Sequence, residues 1–240
     1  SAPKTFHIAV LPGDGIGVDV TRETVRVLEK LETQLSGVKL AFREYSVGAG
    51  EYLRSRNPLP DLALNACAEA DAVLLGAMGL PSVRWPDGRE MTPQIDLREK
   101  LDLYAGPRPI RLYHGSDSPL KDYQAGEIDF VIVRENTEGL FSARLSSNSS
   151  NDEARDVLRL TRKGCERVIR FAFELARKRR RHCTLVDKAN VLPSMVFFRR
   201  IFDEVAEQYP DVATQRVYVD AMALFLVRKP EAFDVIVTEN

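Results

Sequence analysis

Arginine, lysine and glycine carry the chemistry that this sequence can do. Arg134 follows the apolar run at residues 130–133, and Glu135, Asn136, Glu138 and Gly139 come directly after it. Polar groups gathered past the carboxyl end of a buried strand are where open α/β sheets keep their ligands. The planar fork of Arg134 can hold a carboxylate by two parallel hydrogen bonds, which suits an acidic substrate. Arg98 and Arg108 each read as surface charge when taken singly. With Arg134 they make three arginines beside strand ends, and that pattern points to an anion-binding cleft. Lys188, in Asp187-Lys188-Ala189-Asn190, also follows a buried run. A lysine so placed can have a lowered pKa and act as a base, or it can snorkel to water. The segment around Arg134 has a plain reading too, a strand followed by a solvated turn.

Two glycine turns, around Gly13 and Gly76, end apolar runs that should share one sheet edge. A strand–glycine–helix turn can bring backbone N–H groups close to a phosphate or a flat ring. The first is not the dinucleotide fingerprint, because the third glycine of G-x-G-x-x-G falls on Val18. A tight strand-to-helix turn explains it equally well.

The elements that position these groups alternate. Residues 6–11, 40–47 and 72–75 read as strands, with a helix after the first and another opening at Pro58 or Pro60. Strand and helix in alternation predict a parallel sheet with right-handed crossovers. The first helix has Val20, Val27, Leu28, Leu31 and Leu35 on one stripe, expected to face the sheet. A short helix at 95–102 carries Arg98. Two prolines then force extended chain at 103–109, where a domain boundary is expected, giving domains 1–104 and 105–240. In the second, strands are expected at 130–133, 183–186, 215–219 and 234–237. A long helix capped by Thr161 should bury Cys165, Val168, Ile169, Ala172 and Leu175. The basic run Arg177–Arg181 should complement that helix's dipole and face water. Residues 145–156, rich in Ser and Asn, read as a mobile loop or an arm ordered by a partner.

The totals fit an ordinary globular protein. In 240 residues, 34 Lys and Arg against 35 Asp and Glu give no reason to expect nucleic acid or an anionic membrane. Three scattered cysteines and three scattered histidines argue against a disulfide framework and against a zinc site. No run reaches membrane-spanning length. The expected location is the cytoplasm.

Taken in order, several motifs combine into a specific set. They are Leu11-Pro12-Gly13-Asp14-Gly15-Ile16-Gly17, Arg98 with Arg108 in Arg-Pro, Val133-Arg134-Glu135-Asn136-Thr137-Glu138-Gly139, Asp187-Lys188-Ala189-Asn190, and Asp220. From residue 7 to 240 the chain resembles the isocitrate/isopropylmalate dehydrogenase family, metal- and NAD(P)-dependent β-decarboxylating enzymes that include the isopropylmalate and tartrate dehydrogenases. The resemblance implies an α/β, two-domain fold with parallel and mixed sheets flanked by helices, different from the Rossmann fold. It implies a homodimer. By the same resemblance Arg98, Arg108 and Arg134 bind the carboxylates of a 2-hydroxy diacid. Lys188 is the base for the hydroxyl proton and Asp220 a ligand of Mg²⁺ or Mn²⁺, both donated across the dimer interface. Asn190, Gly13 and Gly76 lie by the nicotinamide of NAD. Family chains are longer, so the first domain is expected to be completed by a part absent from this sequence, which also carries the adenosine-binding loop.

Two residues depart from the family. Gln94 stands where isopropylmalate enzymes place leucines, which favours a smaller or more polar substrate such as malate or tartrate. Phe141 replaces a tyrosine thought to protonate the enol left by decarboxylation. An alternative therefore accompanies the dehydrogenase reading: a catalytically weakened relative acting as a binding or regulatory subunit. The retained Lys188, Asp220 and arginines favour the enzyme.

Overall fold

A computed structural model describes residues 3–145 and 148–240. The chain divides into two compact units, residues 1–101 and 102–240.

The N-terminal unit alternates strand and helix: β1 (Lys4–Gly13), α1 (Ile16–Glu32), β2 (Val38–Glu44), α2 (Ala49–Ser55), α3 (Asp61–Glu69), β3 (Ala72–Ala77) and α4 (Pro93–Lys100). Its sheet is parallel throughout, in the order β2-β1-β3. The register Gly13↔Ala77 brings the ends of β1 and β3, and so both glycine turns, to one edge. Ala9, Leu11, Val47, Leu59, Ala63, Cys67 and Leu97 form the core. The stripe expected on α1 does not face it. Gly17 and Thr21 are the buried residues, while Val20, Val27 and Leu31 are 47%, 59% and 47% exposed. The reason is close approach. A Cβ on Gly17 or Gly76 would overlap the Pro12 carbonyl, so the helix packs through its smallest residues and turns its larger aliphatic ones outward. Leu35 lies past the helix and is also exposed.

The C-terminal unit contains β4 (Ala105–Arg111), β5 (Asp129–Glu135), α5 (Gly139–Ser142), β6 (Asn148–Ser149), β7 (Ala154–Arg155), α6 (Arg162–Arg177), β8 (His182–Asp187), α7 (Pro193–Ala206), β9 (Ala213–Tyr218), α8 (Val219–Arg228) and β10 (Val235–Thr238). Five strands make a mixed sheet in the order β4-β5-β10-β8-β9, parallel except for β4. Pro107 and Pro109 fall in β4, an edge strand, where a missing N–H breaks no interior ladder. Both sheet faces are covered. Val131, Val133, Cys183, Leu185, Val235 and Val237 pack with α6 and α7, while Phe130, Val186 and Ile236 pack with Met222 of α8. This period-2 division is why the strands read as continuous apolar runs.

Thr161 caps α6 as expected, accepting a hydrogen bond from the Gly164 N–H at 3.1 Å. The basic run after α6 is a correction. Arg179 donates to the buried Asp234 and to Asp129, each at 2.8 Å, and Arg180 donates to the Asp129 and Phe233 carbonyls. Two of the five cations thus tie the start of β8 to the starts of β5 and β10, because the Asp234 carboxylate, 2% exposed, needs a donor. In the Ser/Asn-rich segment β6 and β7 pair as a short antiparallel ribbon. Ser146 and Ser147 of that arm lie outside the described residues.

Candidate active site

Within the C-terminal unit, β5, β10, β8 and β9 point the same way, so the residues after them share one sheet edge. Strands lie about 4.8 Å apart, which puts the ends of β5 and β8 roughly 10 Å from one another across β10. Arg134 stands at the first of these ends. Lys188 directly follows β8, and Asp220 follows β9 in the first turn of α8.

Arg134 pairs with Gly106 and Ile132 with Arg108 across β4 and β5, so Arg108 lies diagonally beside Arg134 on one face. Burial, and after it the Arg108 charge, pulls the Arg134 guanidinium below its ordinary pKa. It stays protonated in a protein. The Phe141 ring, on α5, lies 5.1 Å from the Arg134 guanidinium carbon. Two neighbouring cations, one laid against an aromatic ring, are an arrangement that could hold a carboxylate.

The acidic residues that follow Arg134 turn inward. Glu135, 1% exposed, accepts from the Thr137 N–H, the Thr137 hydroxyl and the Glu138 N–H at 2.6–2.9 Å. Glu138 accepts from the Thr161 N–H and hydroxyl, fastening the turn to the start of α6. Asn136 packs so tightly on Gly106 that a Cβ there would overlap its amide. These residues brace the turn that follows Arg134.

Lys188 and Asp220 meet directly, with the Lys188 ammonium donating to Asp220 Oδ1 at 2.6 Å. That hydrogen bond is the main cause holding the Asp220 carboxyl below its ordinary pKa. The preceding Asp187 is buried and grips Arg199 by two hydrogen bonds of 2.7 and 2.8 Å, which fixes the turn presenting Lys188. Asn190 is exposed on the same turn.

In the N-terminal unit, Gln94 and Arg98 lie one turn apart on the same face of α4, both partly buried. The Gln94 Oε1 atom is buried without a hydrogen-bond partner. At the shared edge of β1 and β3, Cβ atoms on Gly13 and Gly76 would overlap Ala77 and Pro12 respectively, so backbone packing accounts for both glycines. Sequence reasoning missed Asp14. Its buried carboxylate accepts from the backbone N–H groups of Ala49, Gly50 and Gly79 at 2.7–2.8 Å and holds three loops at that edge. The signal was present, a carboxylate between two glycines.

Among the described residues, no three His, Cys, Asp or Glu gather as a metal cage, and no helix is long and apolar enough to cross a membrane.

A family profile described as isocitrate/isopropylmalate dehydrogenase matches residues 7–240. The 3-isopropylmalate dehydrogenase of Aquifex aeolicus is 39% identical over 246 residues, covering 99% of this chain and 67% of the relative. The crystal structure of isocitrate dehydrogenase from Methylococcus capsulatus superposes with a TM-score of 0.84 at 34% identity, covering 98% of this chain and 67% of that one. A β-decarboxylating dehydrogenase from Thermococcus kodakarensis, in its apo form, gives a TM-score of 0.74 at 35% identity, over 98% and 64% of the two chains. The chain thus spans about two thirds of the length of these relatives. It belongs to the isocitrate/isopropylmalate dehydrogenase family.

Proposed function

We propose that the protein oxidises, and then decarboxylates, a 2-hydroxy dicarboxylic acid with NAD and a divalent metal. The observation that carries this reading is the Lys188–Asp220 pair at 2.6 Å, in a chain that also sets Arg108 diagonally beside Arg134. Oxidising a secondary alcohol requires a base for the hydroxyl proton and cations that hold the acid groups. Both are present. Arg108 and Arg134 orient the diacid by its carboxylate, which aims C2 and its hydrogen. Lys188, positioned by Asp220 and by the Asp187–Arg199 clamp behind it, takes the hydroxyl proton as the neutral amine, after its own ammonium proton has been released to solvent. Arg98 supplies a third cation to the same substrate by kinship with the family.

The donor set suits a hard cation in part. Mg²⁺ and Mn²⁺ take one or two protein carboxylates and complete their shell with substrate oxygens and water. Asp220, 68% exposed, is a donor of that kind. Bound there, the ion would acidify the hydroxyl and stabilise the charge released by loss of CO₂. NAD enters this reading from the family, with Asn190 and the turns at Gly13 and Gly76 as its neighbours.

The working form is a homodimer in which Lys188 and Asp220 serve the partner's substrate. Support comes from apolar residues left in water on the elements that carry the pair: Val191, Leu192, Val196, Val219, Leu224 and Val227 are each 40–64% exposed. Such a concentration marks a surface that is covered in the assembly. Substrate choice follows Gln94. Facing an isopropyl group its amide would lose hydrogen bonds at a cost of about 1–3 kcal/mol. A smaller or more polar C3 substituent, as in malate or tartrate, should therefore compete well with isopropylmalate. The test is a panel of these diacids and isocitrate with NAD and Mn²⁺, following NADH and CO₂ separately. NADH from at least one is expected. If none reduces NAD while one still binds, the second reading stands: a binding or regulatory subunit, which Phe141 in place of the family's tyrosine favours.

A further inference from the structure

Glu135 is a carboxylate set almost wholly out of water, directly after the arginine proposed to hold the diacid. A buried charge is costly unless something answers it. Here the answer comes in two steps. The Thr137 hydroxyl donates to Glu135 Oε1 at 2.7 Å, and the same hydroxyl accepts from Arg167 Nη2, on α6, at 2.7 Å. A hydroxyl has one proton to give and lone pairs with which to receive, so both bonds stand together. One oxygen thus joins the carboxylate to a cation. Arg167 is fixed from two further sides. Its Nη1 donates to Asp102 at 2.8 Å, and its guanidinium carbon lies 4.6 Å from the centre of the Tyr104 ring. The Tyr104 carbonyl in turn accepts from the Asn136 N–H at 2.9 Å. A planar fork held at several points is a firm anchor, because little freedom remains for it to lose.

The turn that this relay holds has the anion site at both its ends. Glu135 also accepts from the Glu138 N–H at 2.6 Å, which closes residues 135–138 on themselves. Arg134 stands immediately before that turn. Phe141, on α5, stands just after it, and its ring lies 5.1 Å from the Arg134 guanidinium carbon. Whatever fixes the turn therefore fixes the cation and the ring against each other. We propose that the Thr137 hydroxyl is a positioning group for the anion site, passing the hold of Arg167 to Glu135 and so setting Arg134 and Phe141 before a ligand arrives. Without the hydroxyl, Glu135 loses its link to a cation and the turn loses its anchor on α6. The ligand would then have to order Arg134 as it binds, and that ordering is subtracted from affinity. The inference deepens the proposed anion-binding role of Arg134 and rests on it.

The test uses oxalate, added without metal to the whole protein at neutral pH and followed by titration calorimetry. Thr137→Val keeps the shape and removes the hydroxyl, and should bind oxalate about three- to tenfold more weakly than wild type. Thr137→Ser restores the hydroxyl without the methyl, and should return affinity to within about twofold of wild type. A residue that only helps the chain to fold would lower the urea stability of Thr137→Val and leave oxalate affinity alone. That result overturns the proposal, and so does Thr137→Ser binding as weakly as Thr137→Val. Arg167→Lys reads the relay from its other end and decides the matter should Thr137→Val not fold. It keeps the charge, loses the fork that spans Asp102 and Thr137, and should weaken oxalate binding by about threefold or more. Wild-type affinity in Arg167→Lys overturns the proposal as well. Because both changes break one link, adding Thr137→Val to Arg167→Lys should cost less than about twofold more. A full independent loss in the double variant contradicts the relay. Oxalate held equally well by Arg134→Ala, or not bound at all, overturns the anion-site reading itself, and the role of Thr137 falls with it.

Discussion

Replacing Phe141 separates the two halves of the proposed reaction. Its ring lies 5.1 Å from the Arg134 guanidinium carbon and is 39% exposed. A cation–π contact that is partly wetted contributes about 0.5–1 kcal/mol. Phe141→Leu removes it, and affinity for the diacid should fall roughly two- to fivefold. Phe141→Tyr keeps the ring and adds the hydroxyl that the family carries. In the proposed reaction, oxidation at C2 would draw on Lys188 and on the arginines, none of which needs that hydroxyl. Protonation of the enol left after CO₂ loss does need an acid, and a positioned one contributes about 10²–10⁴-fold. Tyr104 is no ready substitute, since its ring is covered by the Arg167 guanidinium at 4.6 Å and packs edge-on against Phe171. Stopped-flow mixing of the wild-type enzyme with NAD, Mn²⁺ and diacid should show a burst of NADH and then a slower steady rate. Phe141→Tyr should raise the steady rate and leave the burst amplitude unchanged. A wild-type trace with no burst, together with an unaltered rate in Phe141→Tyr, refutes this division of labour.

Two further outcomes follow from the geometry. The Arg179 hydrogen bond is the main cause holding the Asp129 carboxyl below its ordinary pKa, so its stabilising effect is full above the unfolded value of about 3.9 and is lost as pH falls through the lower folded value. Urea unfolding followed by circular dichroism should show Asp129→Asn weaker than wild type near neutral pH, with the gap closing in acid; a gap independent of pH contradicts the assignment. Mixing Lys188→Ala with Arg134→Ala subunits should restore activity, because one of the two sites in a heterodimer then carries neither defect. Mixtures no more active than either parent would sink the shared-site arrangement.

The strands of the C-terminal unit were legible because both faces of the sheet are covered, so that Phe130–Val133 is apolar on every residue and Cys183–Val186 is broken only by Thr184, itself fully buried. The α6 stripe was legible for the opposite reason: it is amphipathic, and Cys165, Val168, Ile169 and Ala172 are buried as the spacing demands. On α1 periodicity pointed to the wrong face, because backbone approach at Gly17 and Gly76 outweighed aliphatic burial. A hydrophobic stripe records what a helix can bury and is silent about which neighbour is present to bury it. Helix α8 was missed because Asp220 and the residues after it follow the strand with no turn signal. Within the site, residue types named Arg134 and Lys188, the family resemblance named Asp220, and topology then placed all three on one edge. No spacing rule pairs Lys188 with Asp220, 32 residues on, or lays Phe141 against Arg134; such contacts exist only once the strands are in register. Arg179 was misjudged on the same ground, since a buried carboxylate such as Asp234 recruits its cation from wherever the fold delivers one.

The claim on which the account turns is that Lys188, held by Asp220, is the base for the substrate hydroxyl. Steady-state NADH formation by Lys188→Ala, measured beside oxalate binding by the same protein, tests it most directly. Loss of a positioned base should lower kcat by about 10²–10⁴-fold, while oxalate affinity, set by Arg108 and Arg134, stays within a few fold of wild type. A kcat close to that of wild type, with oxalate still bound, would contradict it.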